Sequence, residues 1–144
     1  MRGAKEDVEA LLNSGLSFAE EMLKKHGEFF PFGRAMRSDG EIVAIDSFDG
    51  RELPPSNDII ELISAGLRQD AVNCKNIATA LVYDARVFPP GQESKSDAMV
   101  VELEHRDNYA VTVFQPYRIK DGKLELGTLF ATPARRGIFN SPSR

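Results

Sequence analysis

The chain has no tryptophan, a single cysteine (Cys74) and only two histidines, His26 and His105, among its 144 residues. One cysteine forms no intramolecular disulfide, and this set cannot supply a Cys-rich zinc site. Basic residues are outnumbered by acidic ones, 18 to 22, for a net charge of −4. A nucleic-acid or anionic-membrane binder carries a basic face, and an aromatic base-stacking platform is unexpected without tryptophan. No apolar run approaches the ~20 residues of a membrane span, and none resembles an export leader. With the lone cysteine, this leads to an expectation of a reducing cytoplasm. The Gly-x-Gly-x-x-Gly, Walker A and Gly-x-Ser-x-Gly patterns are missing too, so no nucleotide cradle or serine elbow is expected. The expectation is therefore no nucleic acid, no membrane, no cofactor, no metal and no assignable catalytic residue.

What is present suits one globular domain over residues 1–144: 42% of the residues are hydrophobic and 28% charged. A chain of this length buries enough surface to fold without a covalent staple. Val8, Leu11, Leu12, Gly15, Phe18, Ala19, Met22 and Leu23 recur at three- and four-residue steps, which predicts a helix over 5–26 with Gly27 as its stop. Ser17-Phe18-Ala19-Glu20 resembles a capping box, so a break near residues 13–15 is an alternative. Strands 29–37 and 41–48 flank Asp39-Gly40, a tight-turn dipeptide. Asp49-Gly50 and Pro54-Pro55 mark a loop. Ser56 then caps a helix to about Asn73, with Ile59, Ile60, Leu62, Ile63, Ala65, Gly66 and Leu67 as its buried side. Strands follow near 76–88, 97–105, 109–119 and 123–131, with short links that force antiparallel neighbours. Residues 132–144 read as a peripheral tail. The order α-ββ-α-ββββ predicts an α+β fold, with an antiparallel sheet of about six strands and two helices packed on one face.

The tight turns also predict register. Pairing Lys120 with Lys123 sets Arg118 opposite Glu125, Tyr117 opposite Leu126 and Val113 opposite Phe130; pairing His105 with Tyr109 sets Val101 opposite Val113. One face then collects Met99, Val101, Leu103, Val111, Val113, Tyr117, Ile119, Leu124, Leu126 and Phe130 as the core. The other holds Ala98, Val100, Glu102, Glu104, Thr112, Phe114, Arg118, Glu125 and Leu129, joined by Ala78, Ala80, Val82, Asp84 and Arg86. Val100, Phe114 and Leu129 form an apolar island on it, rimmed by Glu102, Arg118 and Glu125. A solvated sheet face is more uniformly polar, whereas an apolar centre with a charged rim is the pattern of a contact surface. Coverage of the island by the 89–96 loop or the tail is the alternative.

Glu102-Leu103-Glu104-His105 resembles a metal cluster, but strand alternation turns His105 away from the two glutamates. Glu102 and Glu104 share a face with Arg86 and Arg118. The constellation reads as a solvated charged strip or, alternatively, as an anion-holding, acid/base face. Phe29-Phe30-Pro31-Phe32 reads as a wedge joining the first helix to the core. His26 reads as a helix C-terminal cation and His105 as a hairpin-end residue. Cys74 reads as buried or half-exposed, and inert.

Gly27-Glu28-Phe29-Phe30-Pro31-Phe32-Gly33, Val101-Glu102-Leu103-Glu104-His105 and Gln115-Pro116-Tyr117-Arg118 resemble strings in a family of small bacterial proteins with no assigned activity. That resemblance implies a single α+β domain in a bacterial cytoplasm and carries over no catalytic residue. Two readings of function follow. The first is a non-enzymatic protein-interaction module, self-associating as a dimer through the outer sheet face or binding another protein there. The second is a small-molecule-binding protein or hydrolase-like enzyme using Glu102, Glu104, Arg86 and Arg118.

Overall fold

The computed structural model describes residues 3–45, 56–134 and 137–139. Helix α1 spans Ala4–His26 without a break. The Glu6 carboxylate accepts the Gly3 N–H at 2.9 Å at its start, and Gly27 closes it with φ 76° and an N–H donated to Leu23 O. Strands β1 (Phe32–Arg37) and β2 (Ile42–Ile45) form the first hairpin. Its turn places Gly40 at φ 92°, while Asp39 Oδ1 accepts the Glu41 N–H at 2.9 Å. The remainder of the expected second strand, 46–48, and the Asp49-Gly50 and Pro54-Pro55 loop lie outside the described residues. Helix α2 (Ser56–Val72) is followed by β3 (Asn76–Val87), β4 (Ser96–His105), β5 (Tyr109–Lys120), β6 (Lys123–Leu126) and β7 (Phe130–Pro133).

The chain is a single α+β domain whose helices and strands follow in the expected order, except that the one strand expected over 123–131 is divided into β6 and β7, which makes the single antiparallel sheet seven-stranded. The strand order is β2-β1-β3-β4-β5-β6, with β7 also pairing to β5. The registers set by the turns hold: His105 faces Tyr109, Val101 faces Val113 and Arg118 faces Glu125.

The helices differ from expectation, because they take opposite faces. On one side Val8, Leu11, Ala19 and Leu23 of α1 pack on Phe32, Met36, Ala78, Ala80, Val82, Met99, Val101, Leu103 and Val113. Gly15 makes the approach close, since a Cβ there would stand 2.9 Å from Val82 Cγ2. On the other side Ile59, Ile63 and Leu67 of α2 pack on Ala35 and Leu81, with Val43 and Ile45 alongside. The cause is in β3, which is buried on both faces from Asn76 to Val82. Its near-continuous apolar run suits a strand covered twice. Ala78, Ala80, Val82, Asp84 and Arg86, expected on the outer face, therefore belong to the α1 side, opposite His105, Leu103, Val101, Met99 and Asp97. Leu62, Ala65 and Gly66, expected to be buried, are exposed. The wedge reading of the Phe string holds for Phe29 and Phe32, which are buried, and not for exposed Phe30. Cys74 is exposed.

The second difference is a bulge. Tyr117 pairs with Leu126 but Phe114 pairs with Phe130, so two residues of β5 oppose three in the segment 127–129. One extra residue reverses the facing of everything beyond it. Phe130 therefore lies on the outer side opposite Phe114, and not beneath α1 opposite Val113. Pro116 accounts for the bulge. Its carbonyl accepts the Gly127 N–H at 2.8 Å, but its own nitrogen has no hydrogen to return. The Gln115 side chain substitutes, donating from Nε2 to Gly127 O at 2.9 Å. Gly127 also gives the Pro116 ring its space, because a Cβ there would lie 3.2 Å from Pro116 Cβ. Beyond the bulge Ile119 and Leu126, expected in the core, are exposed. Among the described residues no helix is long and apolar enough to cross a membrane.

Candidate interaction face

Helix α2 covers β1 and β3 on the outer side. Among the described residues no helix packs on the outer side of β4, β5 or the β6–β7 edge. A row of facing residues runs from the end of β3 onto these strands: Tyr83, Val100, Phe114 and Phe130. Val100 is buried, while the three rings are half-buried. Phe114 and Phe130 stack with centroids 4.8 Å apart and planes inclined by 12°. In the next row toward Lys120, Ala85 is half-buried while Ala98 and Pro116 are buried, so the face is covered there.

Charged groups rim the row. Glu102, exposed on β4, accepts the Tyr83 hydroxyl at 2.5 Å. Burial, then the hydrogen bond and charge of Glu102, push the Tyr83 phenol well above its ordinary value. At the far end Arg118 Nε donates to Glu125 Oε1 at 2.5 Å. Between that pair and the loop after β3 lies a cleft of about 560 Å³, bounded by Pro89, Pro90, Pro116, Arg118, Glu125 and Phe130.

The other end of the face is closed by a strap. Glu104 is only 5% exposed. Its Oε1 accepts the N–H groups of Gly137 at 2.8 Å and Ile138 at 3.0 Å. Its Oε2 accepts those of Ile138 at 3.0 Å and Phe139. Ile138 packs against the cluster beneath α2. Part of the tail thus covers part of the face, and the 89–92 loop walls another part.

The structure brings together Val100 and Phe114 of the expected island and keeps Glu102 on its rim. Leu129 is displaced. It sits in the bulge, 43% exposed, and Phe130 occupies the expected place. Glu104 shares a face with Glu102, but its carboxylate is taken up by the strap. Arg86 is on the α1 side, 3.7 Å from Asp97, and Arg118 is held by Glu125. The expected acid/base constellation of Glu102, Glu104, Arg86 and Arg118 is consequently not assembled at one place.

Two polar clusters escaped the sequence reading. On the α1 side the Tyr117 hydroxyl donates to Asp84 Oδ1 at 2.8 Å. Burial and the neighbouring Asp97 charge raise the Asp84 carboxyl above its ordinary value, against the lowering effect of the Tyr117 hydrogen bond. At the start of α1, His105 Nε2 lies 2.9 Å from Asp7 Oδ2, with both residues buried. His105 Nδ1 accepts the Asp107 N–H at 3.0 Å, so Nε2 carries the ring proton and donates it to Asp7. This pair clamps the first turn of α1 to the end of β4. Neither cluster has a local sequence signal, since the Asp7–His105 contact spans 98 positions. Among the described residues no group of three His, Cys, Asp or Glu side chains could hold a metal.

No protein-family model matches the chain, and neither the curated proteins nor the solved structures provide a match.

Proposed function

We propose that this chain is a non-enzymatic interaction module that self-associates through the outer side of its sheet. The observation that carries this reading is the row Tyr83, Val100, Phe114 and Phe130, which crosses four strands and whose three rings are half-exposed, with no helix packed on them among the described residues. Aromatic residues at the centre of a patch, with charges confined to its rim, are the composition of a protein contact surface. The rim carries both signs, Glu102 against Arg118 and Glu125, which suits a surface that meets a copy of itself. The test is sedimentation velocity across the micromolar range. The expected result is a concentration-dependent dimer for the parent chain and a monomer for Phe114→Asp, with circular dichroism unchanged. A parent chain that stays monomeric throughout, or a Phe114→Asp variant that dimerises as well as its parent, would overturn the proposal.

A further inference from the structure

Residues 137–139 sit on their own chain as a bound peptide would. The buried Glu104 carboxylate accepts the main-chain N–H groups of Gly137, Ile138 and Phe139. Ile138 packs against the cluster of Ala35, Ile59, Ile63, Leu67 and Leu81. The site therefore reads three consecutive amides by charge-assisted hydrogen bonds and one aliphatic side chain by contact. The same segment of a second copy satisfies it equally well. Its link to the rest of the chain is short. Ala134 donates its N–H to Ala110 O at 3.4 Å, and only Arg135 and Arg136 separate it from Gly137. A short hinge before a docked element is where identical chains exchange that element.

Resting on the self-association reading, we infer that two copies exchange this segment, so that residues 137–139 of each occupy the Glu104 site of the other. Distance supports it. Glu104, Ala110 and Ala134 lie in one row across the outer strands. Ala134 thus stands two strand spacings, about 10 Å, from Glu104 of its own chain. A two-fold axis along the strands lays β5 on β5 and β7 on β4 of the other copy, and leaves α2, over β1 and β3, beside the overlap. Ala134 then faces the other copy's Glu104 across one sheet spacing, again about 10 Å. The three steps from Ala134 to Gly137 span at most about 11 Å, which serves either path. Area supports it too. The strap closes the face at the Glu104 row, and Ala98 and Pro116 are buried at the other end. Between these rows lie about 20 Å of sheet along the strands and about 14 Å across β4, β5 and β7, on the order of 300 Å². A stable pair buries about 800 Å² on each partner. Phe114 against its counterpart falls short of that, and the exchanged segments add their contacts with Glu104 and the Ile138 cluster to both sides of the interface.

Isotope-filtered NMR on the full chain tests this, with labelled and unlabelled copies mixed at a concentration where the dimer forms. Contacts are expected from the Ile138 methyl groups of one copy to the cluster beneath α2 of the other. Contacts confined to single copies would overturn the exchange and leave self-association through the sheet standing. Complementation, read by sedimentation velocity, is the second measurement. Glu104→Gln disables the site and Ile138→Asp the segment, so each variant alone should dimerise more weakly than the parent by about tenfold or more. An equimolar mixture has one intact segment and one intact site per pair, and should associate more tightly than either variant alone by about tenfold. Variants that dimerise like the parent, or a mixture no tighter than its components, would also overturn the exchange. The NMR measurement uses the unaltered chain and decides the matter if either variant fails to fold by circular dichroism. A parent chain without a dimer removes both proposals.

Discussion

Gln115 is expected to stabilise the sheet by standing in for a hydrogen that Pro116 lacks. In a regular ladder Pro116 and Gly127 would exchange two backbone hydrogen bonds. Only one forms here, from Gly127 N to Pro116 O, and the second is supplied by Gln115 Nε2, which reaches both Gly127 O at 2.9 Å and Pro116 O at 3.1 Å. Gln115→Met keeps the length of the side chain and removes both donations, leaving the Gly127 carbonyl without its donor. The expected loss is about 1–3 kcal/mol. Pro116→Ala restores an N–H directed at the same carbonyl, at a cost of about 0.4–1 kcal/mol through the greater freedom of the unfolded chain. In the double variant the new N–H takes over from the lost amide. Its destabilisation should fall short of the sum of the two single effects by about 1 kcal/mol. Urea denaturation of the parent and three variants measures this directly. Additivity within about 0.5 kcal/mol would show that Gln115 does not act as the substitute donor.

Asp7→Ala leaves the buried Nε2–H of His105 without its acceptor and should lower stability by about 1–3 kcal/mol in the same assay, with exchange of the first-turn amides of α1 accelerated; a change under about 0.5 kcal/mol would contradict the clamp. Asp84 gives a pH dependence of definite sign. Its raised carboxyl pKa means that the folded chain holds this proton more tightly than the unfolded chain does, so stability declines as pH rises from the ordinary carboxylate value through the raised one. Asp84→Asn retains an oxygen for Tyr117 and removes the charge. Denaturation midpoints across pH should lose that decline, leaving the variant the more stable chain at neutral pH; an unchanged pH profile would refute the assignment. For Tyr83, an alkaline absorbance titration should contain a phenol that ionises above the usual range and disappears in Tyr83→Phe; a titration unaltered by that substitution would contradict the Glu102 contact.

The elements were legible because their signals are local. Period-3.6 stripes mark both helices, Asp39-Gly40 marks the first hairpin, and the turns at Arg106-Asp107-Asn108 and Asp121-Gly122 fix two antiparallel registers. The inside-outside assignment of Val113 and Phe114 followed from those turns. Helix placement did not follow, because each helix stripe shows only that a face is buried and not which side of the sheet buries it. A usable clue was present in Ile77-Ala78-Thr79-Ala80-Leu81-Val82, a run too continuous for a strand with one wet face. The bulge also had a signal, since Pro116 in the middle of a paired strand demands an irregular neighbour. Missing it put Phe130 on the wrong side and made Leu129 part of the island. The Glu104 strap and the Asp7–His105 clamp join residues distant in the chain and have no periodicity to announce them.

The grip on the C-terminal segment is made by a carboxylate on amide hydrogens, so it reads the path of the main chain and is indifferent to most side chains there. Proline at 137, 138 or 139 would accordingly delete one of the donors. The anchor has no such latitude: aspartate at 104 would end one methylene short of three amides, and glutamine would offer them only one acceptor oxygen.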